Sequence, residues 1–218
     1  MRVSNVRSLL TTTIISLALI SGVANASQQT QIGTINQITG SVLIESQGEE
    51  QPITAKIGDP IHLNDTILTD EGDLAIISSI DQTSITLSGA DGSLTIDEYV
   101  FDPQIPENNI AEYTALQGSF KYIGGLISKD NPNSTNINLD FGSIGIRGTT
   151  LWRTMKDHEC WIFLEKGEIS VSNNAGQVTL LPGDGTRIRD MNIAPAEVQP
   201  WAEEKISWIK STVNNQAQ

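Results

Sequence analysis

Cysteine is nearly missing from this chain. Cys160 is the only one in 218 residues, so no intrachain disulfide is possible and the fold must rest on its own core. A lone thiol on a β-prone run reads as a small buried hydrophobe, ahead of a reactive group or an intermolecular partner. Histidine is equally scarce, with only His62 and His158. No serine sits in a Gly-x-Ser-x-Gly elbow, and there is no glycine-rich phosphate loop. His158-Glu159-Cys160 is the single mixed donor cluster. On a strand it would offer two ligands on one face, where a structural zinc site takes four, so no metal is expected. The chain therefore reads as a non-enzyme, with no catalytic residue and no cofactor.

Positive charge is the next shortage. Thirteen Lys and Arg face 26 Asp and Glu, giving a net charge of −13, which excludes a nucleic-acid partner because phosphate binding needs clustered cations. The acids are dispersed, and solubility explains them better than an acidic recognition tail. Asp81, Asp91 and the Asp70-Glu71-Asp73 group raise calcium as a question. No EF-hand or glycine–aspartate nonapeptide spacing appears, and turn chemistry accounts for these acids at least as well.

Long apolar runs are also absent, with one exception at the start. Arg2 and Arg7 precede an apolar run from Leu9 to Ile20, which ends in Gly22-Val23-Ala24-Asn25-Ala26. A basic opening, a short apolar centre and a small-x-small ending form a secretory signal, with cleavage expected after Ala26. An uncleaved anchor would need a span nearer about 20 residues. No cysteine lies near the site, so lipoprotein processing is not expected. Removing Arg2 and Arg7 takes the net charge from −13 to −15. The expected location is periplasmic or secreted, with no transmembrane segment after cleavage.

From Gln31 to about Ile193 the apolar residues fall in short β-branched runs. Examples are Ser41–Ile44, Leu74–Ile77, Ser84–Leu87 and Ile169–Val171, separated by Gly, Asn and Asp. Asp91-Gly92 suits a tight hairpin, as does Asn173-Asn174-Ala175-Gly176. Asp102–Asn109, with Pro103 and Pro106, reads as a connector, and the polar stretch Ser128–Asn138 as an exposed loop. After Pro200, Trp201, Lys205, Trp208, Ile209 and Val213 can cluster on a helix opened by Glu203 and Glu204, with the tryptophans as its docking face. An internal echo links Ile38–Ile44 and Gly58-Asp59 with Leu164–Val171 and Gly183-Asp184, and Gln117–Phe120 opens a weaker third copy. Together these features predict an all-β fold of stacked or solenoid-like antiparallel sheets built from Gly-led strand–hairpin repeats, with one short C-terminal helix. The expected divisions are 1–26 for the signal, 27–195 for the β domain and 196–218 for the helix and tail.

Four ordered motifs then resemble one family. Gly58-Asp59-Pro60-Ile61 leads into Asp65-Thr66-Ile67-Leu68-Thr69. Next come Leu94-Thr95-Ile96-Asp97-Glu98-Tyr99-Val100-Phe101-Asp102-Pro103 and Gly118-Ser119-Phe120-Lys121-Tyr122 with Gly124-Gly125-Leu126-Ile127-Ser128-Lys129. Last is Ile144-Gly145-Ile146-Arg147-Gly148-Thr149. Across Ile32–Ile188 the chain resembles the FecR domain of exported bacterial proteins, with Gly58, Asp59, Gly118, Gly145, Ile146, Arg147, Gly148 and Thr149 as motif residues. It departs in having Phe141-Gly142 where the family often has Thr-Pro. It also carries a signal where founding members have an anti-sigma region and a membrane span. The resemblance implies a Gram-negative envelope module that engages a protein partner in sensing or signalling, through an exposed strand edge or the polar loop. The alternative is a small-ligand or glycan binder using Tyr113, Phe120, Tyr122, Trp152 and Trp161; a hydrolase is disfavoured. Arg147, set among Ile144, Ile146 and Leu151, is expected to be a hydrogen-bonded clamp whose loss costs several degrees of thermal stability, with partner contact as the other option.

Overall fold

The computed structural model describes residues 30–214; the expected signal segment and its cleavage site lie outside them. Sixteen strands form one sheet that folds over on itself. One layer runs β3 (Ile53–Thr54), β2 (Leu43–Glu45), β5 (Thr66–Thr69), β8 (Gly92–Val100), β9 (Ile110–Thr114) and β11 (Thr135–Leu139). The other runs β4 (Pro60–His62), β1 (Gln31–Thr39), β6 (Leu74–Ser79), β7 (Ser84–Ser88) and β10 (Ser119–Ile123). Two long strands, β12 (Gly142–Lys156) and β13 (Glu159–Asn173), pass from one layer to the other. The first half of β12 pairs with β11 and its second half with β10. The end of β13 pairs with β14 (Gly176–Leu180), and its beginning with β15 (Asp184–Ile188), which in turn pairs with β16 (Gln199–Pro200).

Inward side chains of both layers make one continuous core, including Ile35, Ile77, Leu87 and Tyr122 from one and Ile44, Ile67, Ile96 and Ile144 from the other. That is the period-2 burial of β-branched residues that the sequence pattern predicts. The helix α2 (Glu203–Asn214) lies across the outside of β7, β10 and β12, as the change of period after Pro200 suggested.

The Gly–Asp echo has a structural meaning. In Lys56–Asp59, His62–Asp65, Asp70–Asp73 and Leu181–Asp184 the aspartate carboxylate accepts the N–H of the residue three before it, at 2.8, 2.8, 3.0 and 3.0 Å. The residue before each aspartate (Gly58, Asn64, Gly72 or Gly183) has positive φ, the conformation that selects Gly or Asn there. Two of these turns end equivalent units at the extremities of the sheet. One follows the β2–β3 hairpin and sends the chain into β4; the other follows the β13–β14 hairpin and sends it into β15. Asp73 also accepts Ser41 N–H at 2.9 Å, so backbone donors already occupy both of its oxygens.

Four local expectations are corrected. Asp91-Gly92 does not join a hairpin: β7 pairs with β6 and β10, and β8 with β5 and β9, so this turn carries the chain between layers. The stretch Ser128–Asn138 is largely ordered, because a short helix α1 (Leu126–Asp130) and β11 leave only 131–134 as loop, and Ser128, Thr135 and Ile137 are buried. Gln117–Phe120 is no third repeat, since β10 runs into α1. The sheet is not wholly antiparallel either, for β9 and β11 run parallel, joined through β10 and α1.

Candidate functional site

The family-like motifs meet in the scaffold. Asp81, buried in the β6–β7 turn, accepts hydrogen bonds from the Tyr99 hydroxyl at 2.8 Å, Thr83 N–H at 3.0 Å, Thr83 Oγ1 at 2.9 Å and Ile127 N–H at 3.2 Å. Gly125 N–H donates to Thr83 Oγ1 at 3.0 Å, and Gly124 N–H to the Thr149 carbonyl at 2.8 Å. A Cβ on Gly125 would collide with the Asp81 carbonyl and Thr83 N, so only glycine permits this approach. One buried carboxylate thus ties the Tyr99, Gly124–Ile127 and Thr149 segments together. Burial, with the Asp81 carboxylate adding to it, pushes the Tyr99 hydroxyl far above the usual tyrosine range.

Ser143–Thr150 is the corner itself. Register slips between Arg147 and Thr150 and again between Thr150 and Leu151, where β12 leaves β11 for β10. Gly148 has φ +56°, and Gly167 opposite has φ +86° with no room for a Cβ, which would lie 2.5 Å from the Gly148 carbonyl oxygen. Ile146 is fully buried, and Gly145 faces Ser170 Oγ. Gly118 takes a positive φ against Gly92. Gly58 and Asp59 serve the separate turn beside β1, where Gly58 N–H meets the Ile35 carbonyl at 2.8 Å.

The buried clamp expected of Arg147 is instead made by Arg153, further along β12. Arg147 is half exposed and makes surface contacts to Asn133 Oδ1 at 2.8 Å and Glu168 Oε1 at 2.9 Å. Arg153 is fully buried. Its NH1 and NH2 donate to the carbonyls of Gly118 at 2.7 Å and Leu116 at 2.6 Å, and its Nε to Cys160 Sγ at 3.2 Å. Simple alternation from Ile144 and Ile146 points Arg153 outward. The bulge at the corner shifts the phase by one residue, so Leu151 and Arg153 face inward. Cys160 is buried as expected; burial pushes its thiol up, and the Arg153 guanidinium opposes that shift. His158 is exposed in the β12–β13 turn, with positive φ, and does not share a face with Cys160. Among the described residues no group of three or more His, Cys, Asp or Glu is arranged to hold a metal.

The proposed aromatic platform is not assembled at the surface. Tyr113, Phe120 and Tyr122 are core residues, and Trp152 lies beneath α2. Burial pushes the Tyr122 hydroxyl up to about 12 and Tyr113 well above its ordinary value. A different aromatic group forms instead, where Trp152, Phe163 and Trp161 of the sheet meet Trp201, Trp208, Ile209 and Val213. Phe163 and Trp201 stack with centroids 5.6 Å apart, and Trp208 meets Trp161 edge-on at 5.8 Å. Glu165 pins α2 by accepting from Trp152 Nε1 and Lys210 Nζ, both at 2.9 Å. Burial alone would raise the Glu165 carboxyl, but these two donors outweigh it and hold it below its ordinary value.

Basic side chains cover the indoles. Lys205 Nζ lies 3.9 Å from the Trp201 ring centre and 4.4 Å from that of Trp161, and Arg187 lies 5.3 Å from Trp161. Two adjoining hollows of about 410 and 390 Å³ share Trp161 and Lys205. Burial against the rings, with Arg187 nearby, pushes the Lys205 ammonium below its ordinary value. The sequence placed Trp201 and Trp208 on a docking face, and that holds. It gave no sign that Trp161 and Lys205 would form a cleft, because the residues come from β13 and α2, far apart in the chain.

The sheet has a second surface feature. β14 pairs only with β13, leaving its other side open over five residues without charge or proline. The remaining sheet ends, β3, β4 and β16, have only two or three residues each. Exposed Leu181 follows β14, and exposed Met191 and Ile193 lie beside the hairpin that begins it.

No protein-family model and no curated protein matches the chain. Among solved structures it is similar to a candidate anti-sigma factor from Parabacteroides distasonis. The TM-score is 0.51 at 13% identity, over 65% of this chain and 62% of that one. A second structure of a candidate anti-sigma factor from the same organism aligns with a TM-score of 0.49 at 13% identity, over the same shares. A cell surface anchoring domain aligns with a TM-score of 0.27 at 33% identity, over 29% of this chain and 82% of that one. Only the first likeness carries weight, and it establishes a shared fold; this chain spans less than two thirds of that structure's length.

Proposed function

We propose that this chain is an exported, FecR-like interaction module of the cell envelope. It is non-enzymatic and captures a protein partner in a sensing or signalling role. The signal-like segment 1–26, cut after Ala26, delivers it to the periplasm or beyond. The fold shared with a candidate anti-sigma factor supports a regulatory setting, and the four motifs support the family. The open edge of β14 carries the interaction: unpaired N–H and C=O groups on an uncharged strand are a template for an added strand.

A photo-crosslinking residue placed at Thr179, on that edge, tests this in cells of the source organism. A discrete protein adduct is expected from Thr179 and none from the exposed turn residue His158. Adding Gln177→Lys, an edge charge, should cut the adduct at least tenfold with an unchanged melting temperature. Equal adducts from both positions, or none from either, would remove the proposal.

A further inference from the structure

We propose that the cleft between α2 and the β13–β15 edge binds an acidic sugar, a pyranose ring bearing a single carboxylate. This is independent of the β14 edge. Two cations converge on one indole there: Lys205 Nζ lies 4.4 Å and the Arg187 guanidinium 5.3 Å from the Trp161 ring centre. Arg187 has Glu159 at 3.0 Å, but no carboxylate among the described residues lies within 4.0 Å of Lys205 Nζ. In a chain of net charge −13, a semi-buried ammonium beside a guanidinium and without its own acid is a place for an anion from outside.

The walls select the anion's body. Trp161, Trp201 and Trp208 offer flat apolar surface, against which the C–H face of a sugar can pack. Glu197 and Gln199 line one hollow and Glu204 the other, supplying acceptors for ring hydroxyls. The same two carboxylates repel a second negative charge, which disfavours phosphate dianions and polyanions. A carboxylate on a purely apolar body would leave the acceptors unused. One charge with several hydroxyl donors fits both sets of groups. Trp161 Nε1 is buried with no acceptor, so no hydrogen bond of its own locks the indole that both hollows share.

All four tryptophans belong to this cluster, so intrinsic fluorescence reports directly on the site. The full chain is titrated at constant ionic strength with galacturonate, with galactose (ring without charge) and with acetate (charge without ring). Galacturonate should produce a saturable change at a concentration at least tenfold below either control. Lys205→Met, which keeps the stem over the indoles, should weaken it at least tenfold with an unchanged melting temperature, and Arg187→Gln should act in the same direction. Equal response to galactose or acetate, no saturation with galacturonate, or undiminished binding by Lys205→Met would overturn the proposal.

Discussion

Replacing Arg153 by Met tests whether a buried cation, without an acid partner among the described residues, clamps β12 to the segment before β10. Its guanidinium is fully buried, and its hydrogen bonds run to neutral acceptors, the carbonyls of Leu116 and Gly118 and the Cys160 sulfur. Two effects compete. Removing the cation relieves a desolvation cost of several kcal/mol, which in other buried ion sites has made apolar replacements neutral or stabilising. Against that, bonds from a charged donor are worth about 1.5–3 kcal/mol each, and each carbonyl left dry costs about 1–3 kcal/mol. Both carbonyl bonds are short, at 2.7 and 2.6 Å, and both tie the chain before β10 to β12, so their loss outweighs the relief. The net expectation is a loss of about 2–4 kcal/mol, or roughly 5–15 °C in melting temperature for a domain of this size. Arg147→Met is the matched control. Its ion pair with Glu168 is half exposed on both sides, so it should cost no more than about 1 kcal/mol. Differential scanning calorimetry of the two variants decides. A neutral or stabilised Arg153→Met, or an Arg147→Met that costs more, would refute the assignment of the clamp.

Two further outcomes follow from the same packing. All three tyrosines of the chain, Tyr99, Tyr113 and Tyr122, have hydroxyls raised above the ordinary value near 10, Tyr122 to about 12. The unfolded chain loses these protons first, so the stabilisation is full below about pH 10 and lost as pH rises through about 12; absorbance at 295 nm should therefore appear only together with unfolding measured by circular dichroism, and gradual ionisation of the folded protein would contradict it. Gly167→Ala places a Cβ 2.5 Å from the Gly148 carbonyl at φ +86°, so urea denaturation should show a loss of more than about 1 kcal/mol, whereas an unchanged midpoint would mean the corner relaxes freely.

Much of the fold was legible because it depends on local chemistry. β-Branched runs set the strands, Gly–Asp pairs set the turns, and Pro200 with Glu203 and Glu204 set the helix. What failed depended on partners distant in the chain. Asp91-Gly92 has the composition of a hairpin, yet β7 and β8 find other neighbours, and turn residues alone do not specify which strands pair. Ser128–Asn138 looked too polar for structure. Its serines and threonine nevertheless bond to local backbone or lie buried: Ser128 Oγ donates to the Gly125 carbonyl at 3.3 Å and Ser134 Oγ to that of Asn131. The aromatic cleft was illegible for the same reason, since Trp161 and Lys205 meet only through the docking of α2.

The division between motif and surface bears on where specificity lies. Tyr99, Gly118, Gly124, Gly125, Gly148 and Thr149 are spent on the Asp81 knot, on close backbone approaches and on the corner of β12. A residue whose hydrogen bonds are closed inside the scaffold, or whose lack of a side chain is what admits its neighbour, has nothing left to offer a partner. Arg147, at the corner, does carry an exposed charged group, and Asn133 and Glu168 already engage it. The motifs therefore specify a frame, and chains sharing that frame can differ in what they bind by changing residues the motifs do not include. The surfaces proposed here for that role are the uncharged edge Gly176–Leu180 and the cleft of Trp161, Trp201, Arg187 and Lys205. Both features lie on β13 or on what pairs or packs with it, so the strand that turns the corner also presents the two surfaces on which a partner or ligand could act.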